Sequence, residues 1–125
     1  MKRVFVLTIL TLALAACGSQ PAQPGTGIQG LVQAGPTCPV ERINSPCPPH
    51  PLAATIVVRD GTGAEVTRFR SGADGRFKVD LRPGTYTLLG LTIGSSFLPR
   101  PIPTSVTVSQ GTYTSINIEY DTGIR

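Results

Sequence analysis

The side chains best suited to chemistry in this 125-residue chain belong to one histidine, three aspartates that stand near glycine, and three cysteines. His50 lies between Pro49 and Pro51, and no second histidine exists to share a metal ion with it. A lone histidine between prolines is typical of a solvated loop. No serine near it has a nucleophile-elbow context, so a Ser-His-Asp hydrolase is not predicted. We expect a protein that is not an enzyme and holds no cofactor.

The three aspartates are Asp60, Asp74 and Asp121. If they came together they could supply the oxygen ligands of a calcium site, but the dense Asp-x-Asp-x-Asp spacing of a calcium loop is absent. Aspartate in a turn commonly accepts a hydrogen bond from a backbone N–H two residues further along. We therefore predict Asx turns at these positions and no metal.

The cysteines begin with Cys17, which follows a targeting pattern. Lys2 and Arg3 precede an apolar run, Val4–Ala13, that is too short to span about 30 Å of hydrocarbon at 1.5 Å per residue with margin. Leu14-Ala15-Ala16-Cys17 resembles the bacterial lipobox. The resemblance implies that residues 1–16 are a signal peptide, that Cys17 is acylated, and that the protein is anchored to a membrane. The alternative is an ordinary secreted protein.

The residues that follow this cysteine are predicted to form a tether. Gly18–Gly25 is small, polar and proline-containing, so we assign residues 17–26 to the lipidated cysteine and a flexible linker. The aspartate that retains some lipoproteins at an inner membrane is absent after Cys17. We expect a location in the cell envelope, facing away from the cytoplasm, and at the outer membrane in a cell with two membranes.

Cys38 and Cys47 have only each other once Cys17 is lipidated. An exported chain occupies a compartment that permits disulfides, so we predict a bond between them. A metal site or a reactive thiol pair is the alternative, and a metal ion would need ligands beyond His50.

The charge pattern bears on possible partners. Lys2 and Arg3 account for two of the 11 Lys and Arg residues, against seven Asp and Glu. The remaining positive charges alternate with acids or apolar residues, as on solvated strand faces, and form no run. A nucleic-acid partner is not predicted.

Short runs with period-two alternation fill the chain from Gly27 onward and predict seven strands. Asp-Gly and Pro-Gly turns separate them, which favours a single all-β, antiparallel Greek-key sandwich over residues 27–125. The predicted strands are Gly27–Val32, Ala54–Arg59, Glu65–Phe69, Arg76–Leu81, Thr85–Thr92, Ser105–Val108 and Tyr113–Tyr120.

Two proline-rich segments interrupt this rhythm, Gly35–Leu52 and Gly94–Pro103. Proline donates no ladder hydrogen bond, so both are predicted to be surface loops. Long loops in a compact domain are often functional. If both loops lie at one end of the sandwich, Phe97, Leu98 and Ile102 are the candidate partner-binding residues.

The turn motifs carry a family resemblance. Asp74-Gly75-Arg76-Phe77, followed by Leu81-Arg82-Pro83-Gly84-Thr85-Tyr86, resembles the signature of carboxypeptidase regulatory-like domains. The resemblance implies a transthyretin-like (prealbumin-like) sandwich in which Phe77 and Tyr86 fill the core. Enzymes with this fold, the hydroxyisourate hydrolases and the intradiol dioxygenases, need more than one histidine.

These observations predict a lipid-anchored envelope sandwich with a structural or protein-interaction role. Its partners would be the membrane, through the lipid, and an unidentified envelope protein or glycan. A carbohydrate-binding module is the alternative, because sandwiches of this superfamily often resemble such modules. Aromatic platforms for sugar are scarce, however. Tryptophan is absent, and Tyr113 is the only tyrosine expected near a strand end, since Tyr86 and Tyr120 fit the inward phase.

Overall fold

The computed structural model describes residues 24–40 and 42–125. The predicted signal peptide, Cys17 and most of the tether lie outside the described residues. No helix in the described part is long and apolar enough to cross a membrane. The strands are β1 (Gly27–Gly35), β2 (His50–Pro51), β3 (Thr55–Arg59), β4 (Glu65–Arg70), β5 (Arg76–Asp80), β6 (Gly84–Gly90), β7 (Arg100–Pro101), β8 (Thr104–Val108) and β9 (Tyr113–Asp121).

The strands form two sheets that face each other across one core. In the five-stranded sheet, β9 lies on one side of β1, while β5 and β2 follow one another along its other side. The four-stranded sheet has the order β4-β3-β6-β8. All seven predicted strands are present, with ends that differ by up to three residues. The predicted all-β sandwich is therefore confirmed.

One pairing departs from the antiparallel expectation. β1 and β9 run parallel over their whole length, from Gly27 opposite Tyr113 to Gly35 opposite Asp121. Parallel neighbours need a long connection, and the first and last strands of the domain have the rest of the chain between them. Period-two alternation looks the same in either direction, so the sequence pattern does not distinguish the two arrangements.

The proline-rich segments are also more ordered than pure loops. Each contributes a two-residue strand at the border of the five-stranded sheet, β2 beside β1 and β7 beside β9. Proline is tolerated there because an edge strand can leave its nitrogen without a ladder partner.

The core is built from the inward residues of both sheets. Ile28, Val32, Ile56, Leu88 and Ile118 are completely buried. Each lies two or four residues from another buried apolar residue, as the alternation predicts. Burial of a large aliphatic side chain contributes about 1.5–3 kcal/mol, so this layer is the main source of stability.

Buried aromatic residues close the core at its borders. Phe77 stacks on Phe69 with ring centroids 5.0 Å apart, and the hydroxyl of Tyr86 donates to the carbonyl of Arg82 at 2.7 Å. Tyr120 is fully buried and donates to the carbonyl of Leu91 at 2.8 Å. Its ring packs against Gly90 of β6, where any Cβ would overlap the phenol. The expected core roles of Phe77 and Tyr86 are confirmed.

The three predicted Asx turns are present. Asp60 Oδ1 accepts from the hydroxyl of Thr62 at 2.6 Å and from the N–H of Thr62 at 2.9 Å, and these hydrogen bonds lower the pKa of Asp60. Asp74 Oδ1 accepts from the N–H of Arg76 at 3.1 Å, and Asp121 Oδ1 from that of Gly123 at 2.9 Å. Each carboxylate therefore serves its own turn.

Candidate partner-binding surface

Both proline-rich segments lie at the same end of the five-stranded sheet. One row of paired residues crosses that end from β2 to β7: His50, Ala34, Tyr120 and Pro101. At about 4.8 Å per strand, β2 and β7 are about 14–15 Å apart. We call residues 35–52, 94–103 and 121–125 the loop end.

The C-terminal residues hold the two loops in place. Thr122 donates its N–H to the carbonyl of Gly35 at 3.1 Å and its hydroxyl to that of Pro36. On the other side, Asp121 forms ion pairs with Arg100 at 3.3 Å and with Arg125 at 2.9 Å. These contacts join both loops to the end of β9.

Asp121 is the electrostatic centre of this arrangement. The hydrogen bond from Arg125 and the N–H of Gly123 hold the pKa of its carboxyl well below the ordinary value, and the charges of Arg125 and Arg100 act in the same direction. The pKa of Arg125 is raised by the same contact. Asp121 therefore remains ionised at any physiological pH.

The predicted binding residues lie on the second loop and are exposed. Phe97 is 78% exposed, whereas Leu98 and Ile102 are 42% and 43% exposed. Leu98 packs over Gly123, which leaves part of its side chain facing solvent. Phe97 is therefore the most accessible aromatic side chain among the described residues, and the loop presents it without burying it in the core.

The first loop adds two apolar residues that sequence reasoning missed. Val40 and Ile43 are 70% and 101% exposed, and both lie between the cysteines. Cys38 and Cys47 form the predicted disulfide, with Cα atoms 5.9 Å apart. Inside this ring, the N–H of Ser45 donates to the carbonyl of Arg42 at 3.0 Å, so Ile43 sits at the tip of a tight turn. The sequence feature that could have indicated them is the presence of apolar residues in a short segment between two cysteines.

Exposed apolar side chains are concentrated at this end of the molecule. Seven large apolar residues are exposed in the described part of the chain, and five of them belong to these two loops. The other two are Val66 and Leu91. Isolated exposed apolar residues are ordinary, so it is the grouping of five of them on two loops that makes this end the candidate partner-binding surface.

The tyrosines do not form the exposed row that a sugar platform requires. Tyr86 and Tyr120 are buried. The hydroxyl of Tyr113 donates to Asp80, which raises the pKa of that phenol, and it accepts from the N–H of Gly25 at 3.1 Å. Lys78 Nζ lies 4.3 Å from the centre of the Tyr113 ring. All three tyrosines are therefore engaged within the domain.

His50 lies in β2, opposite Ala34, and its side chain is exposed. Within residues 24–40 and 42–125, no three His, Cys, Asp or Glu side chains come together in a way that could hold a metal ion. The described residues therefore offer His50 no ligand set, and Asp60, Asp74 and Asp121 remain in their separate turns.

Comparison with known proteins gives little beyond this. No protein-family profile and no curated protein matches the chain. Among solved structures, the Bacillus anthracis TIE protein matches with a TM-score of 0.38 and 15% identity, over 77% of this chain and 16% of that chain. The chain thus spans about a sixth of that protein's length. The carboxypeptidase regulatory-like assignment remains a prediction from the sequence motifs.

Proposed function

We propose that this protein is a lipid-anchored, non-enzymatic β-sandwich of the cell envelope that binds an envelope protein through its loop end. The observation that carries the proposal is the concentration of exposed apolar side chains on the two proline-rich loops. Lipidation of Cys17 and the envelope location rest on the lipobox resemblance.

The construction of the loops favours binding. A disulfide and several prolines restrict the first loop, and Pro99, Pro101 and Pro103 restrict the second. A restricted loop loses less conformational entropy when it binds, so more of the contact energy appears as affinity. Phe97 and Ile43 offer bulky anchors, and aromatic anchors often dominate interface energetics.

The direction of β1 supports this use of the loop end. β1 begins next to the tether and ends at Gly35, about 26 Å away at 3.3 Å per residue. Pro24 is seven positions after Cys17, and a fully extended chain spans at most about 25 Å over that many steps. An anchored domain standing upright would hold its loop end up to about 50 Å from the lipid, facing other envelope components rather than its own bilayer.

The proposal is tested by co-purification of the tagged full-length chain from solubilised envelopes. Phe97→Ala combined with Leu98→Ala should lower recovery of the partner about tenfold or more, since truncating interface anchors costs about 1–2 kcal/mol each. Val66→Ala is the matched control, because this residue is also exposed and apolar but lies in β4, outside both loops.

His50→Ala should lower partner recovery much less than the Phe97/Leu98 double variant does, since His50 lies in the loop end but is not one of its exposed apolar anchors. Equal recovery with the Phe97/Leu98 double variant and with the wild type would refute the loop end as the binding surface. An activity that depends on His50 would refute the non-enzymatic assignment.

A further inference from the structure

A second surface lies away from the loop end, on the outer face of the five-stranded sheet. It is an open groove of about 720 Å³ that runs across β5, β1 and β9. We call it the outer-face groove. Its lining residues are Gln29, Gly30, Leu31, Arg76, Phe77, Lys78, Ser115 and Asn117.

The strand register arranges the groove in two rows. Lys78, Gln29 and Ser115 are paired across the three strands and form the first row. The second row is Arg76, Leu31 and Asn117. Residues paired across strands lie about 5 Å apart, and successive outward residues of one strand about 7 Å apart. Five of these six side chains can form hydrogen bonds, so the groove presents a regular polar array.

The lining of the groove carries two positively charged side chains, Arg76 and Lys78. No acidic residue lines the groove. The nearby Asp80 accepts from the hydroxyl of Tyr113, and Glu119 accepts from the amide of Gln33 at 2.5 Å. These two carboxylates keep their charge, but their hydrogen bonds are to neutral partners and neither forms an ion pair with Lys78 or Arg76 in the described part of the chain.

The two cations of the groove are less committed. Within the described part of the chain, Lys78 takes part in no ion pair and only lies over the Tyr113 ring. Arg76 has a long contact of 3.7 Å to Asp74, and both side chains are mostly exposed. Exposed pairs of this kind contribute little. Two cations are thus available to an anionic ligand.

We propose that the outer-face groove binds an oligosaccharide that carries carboxylate groups. Arg76 and Lys78 supply charge for the carboxylates, while Gln29, Ser115 and Asn117 supply donors and acceptors for sugar hydroxyls. An acidic peptide would satisfy the cations, but peptide recognition normally uses a free sheet edge or apolar side-chain pockets. The groove lies on a sheet face, and Leu31 is its one partly exposed apolar side chain.

The test is isothermal titration of the full-length protein in detergent with a hexamer of galacturonic acid. The same hexamer with methyl-esterified carboxyls is the matched ligand, because it keeps the sugar and removes the charge. A hexaglutamate peptide represents the competing class. We expect saturable binding of the acidic sugar, weaker by at least about threefold for the ester, and weakened by raising the salt concentration. Hexaglutamate should bind more weakly than the acidic sugar.

Variants locate the site. Lys78→Gln and Arg76→Gln should each weaken binding of the acidic hexamer about two- to fivefold, the range for an exposed ion pair. Asn117→Ala should weaken binding of both the acidic hexamer and its methyl ester. Arg70→Gln on the other sheet is the matched control and should leave the affinity for both sugar forms unchanged. Phe97→Ala should also leave both affinities unchanged, which separates this site from the loop end. Far-ultraviolet circular dichroism and the melting temperature of each variant establish that it folds.

The proposal is overturned by any of three results. The first is that neither the acidic hexamer nor its ester binds saturably. The second is that hexaglutamate binds more tightly than the acidic hexamer. The third is that Arg70→Gln and Lys78→Gln weaken binding of the acidic hexamer equally.

Discussion

At the scale of single residues, Asp121 at the end of β9 forms ion pairs with Arg100 and Arg125 of the loop end. Because its pKa is lowered in the folded protein, its contribution to stability is fully present above the unfolded carboxyl pKa of about 3.9. That contribution is lost as the pH falls through the lower folded pKa. It therefore belongs to the acid limb of the stability profile, below about pH 4.

Asp121→Asn should make the melting temperature lower at pH 7 and should flatten its decline below about pH 4, because the ionised acceptor is gone. Arg125→Ala should produce part of the same change, since Arg125 is the main cause of the lowered pKa of Asp121. Melting curves between pH 2 and 7 test this. An unchanged acid limb in Asp121→Asn would contradict the assignment.

Gly90 is the residue whose small size most directly shapes the core. A Cβ there would overlap the ring of Tyr120, and the hydroxyl of Tyr120 donates a hydrogen bond to the carbonyl of Leu91, the residue after Gly90. We expect Gly90→Ala to lower the free energy of unfolding by about 1–3 kcal/mol, the usual cost of overpacking.

Gly61→Ala is the matched control for this substitution. Gly61 has open space around the added Cβ and no positive φ, so its variant should differ from the wild type by less than about 0.5 kcal/mol. Chemical denaturation of both variants measures the difference. Equal midpoints for the two would show that the Tyr120 contact is dispensable.

At the scale of elements, the disulfide closes a loop whose described residues, between 36 and 51, contribute no buried side chain to the core. Closing about ten residues restricts the unfolded chain by roughly 2.5–3 kcal/mol in the chain-entropy model. Cys38→Ser with Cys47→Ser should therefore lower the melting temperature while the far-ultraviolet spectrum stays that of a β-sandwich. In the native wild type, both thiols should resist alkylation until a reductant is added, and two freely alkylated thiols would contradict the bond.

The elements also show what could be predicted from the sequence and why. Short alternating runs between turns identified all seven long strands, and β5, β6, β8 and β9 bury alternate residues as the pattern predicts. The parallel pairing of β1 and β9 could not be predicted, because pairing direction depends on how distant strands meet. The short β2 and β7 were missed since proline argues against strands, except at the edges where they lie.

Only part of the candidate site could be predicted from the sequence. Phe97, Leu98 and Ile102 were found because apolar residues in a proline-rich segment have no core strand to join. Ile43 was missed because its exposure depends on the tight turn inside the disulfide ring, which composition alone does not indicate. The outer-face groove has no local signal, since its polar residues come from three strands far apart in the sequence.

At the scale of the whole molecule, the proposed function needs a membrane anchor at one end of the chain and a binding surface at the other. Cys17→Ser should release the protein from membranes, because one substitution removes acyl chains that each contribute about 0.8 kcal/mol per buried CH₂. Fractionation with and without detergent measures this. A serine variant that still needs detergent for extraction would show that something other than lipid holds the chain.

The binding surface itself is tested most directly by cross-linking in living cells. A photo-activatable amino acid would be placed at position 97, at position 43, and at position 68 on the outer face of the four-stranded sheet as a control. Adducts would be identified by mass spectrometry. We expect the same envelope protein to be cross-linked at positions 97 and 43 and not at position 68. No discrete adduct at position 97, or an equal yield of the same adduct at position 68, would contradict the proposed binding surface.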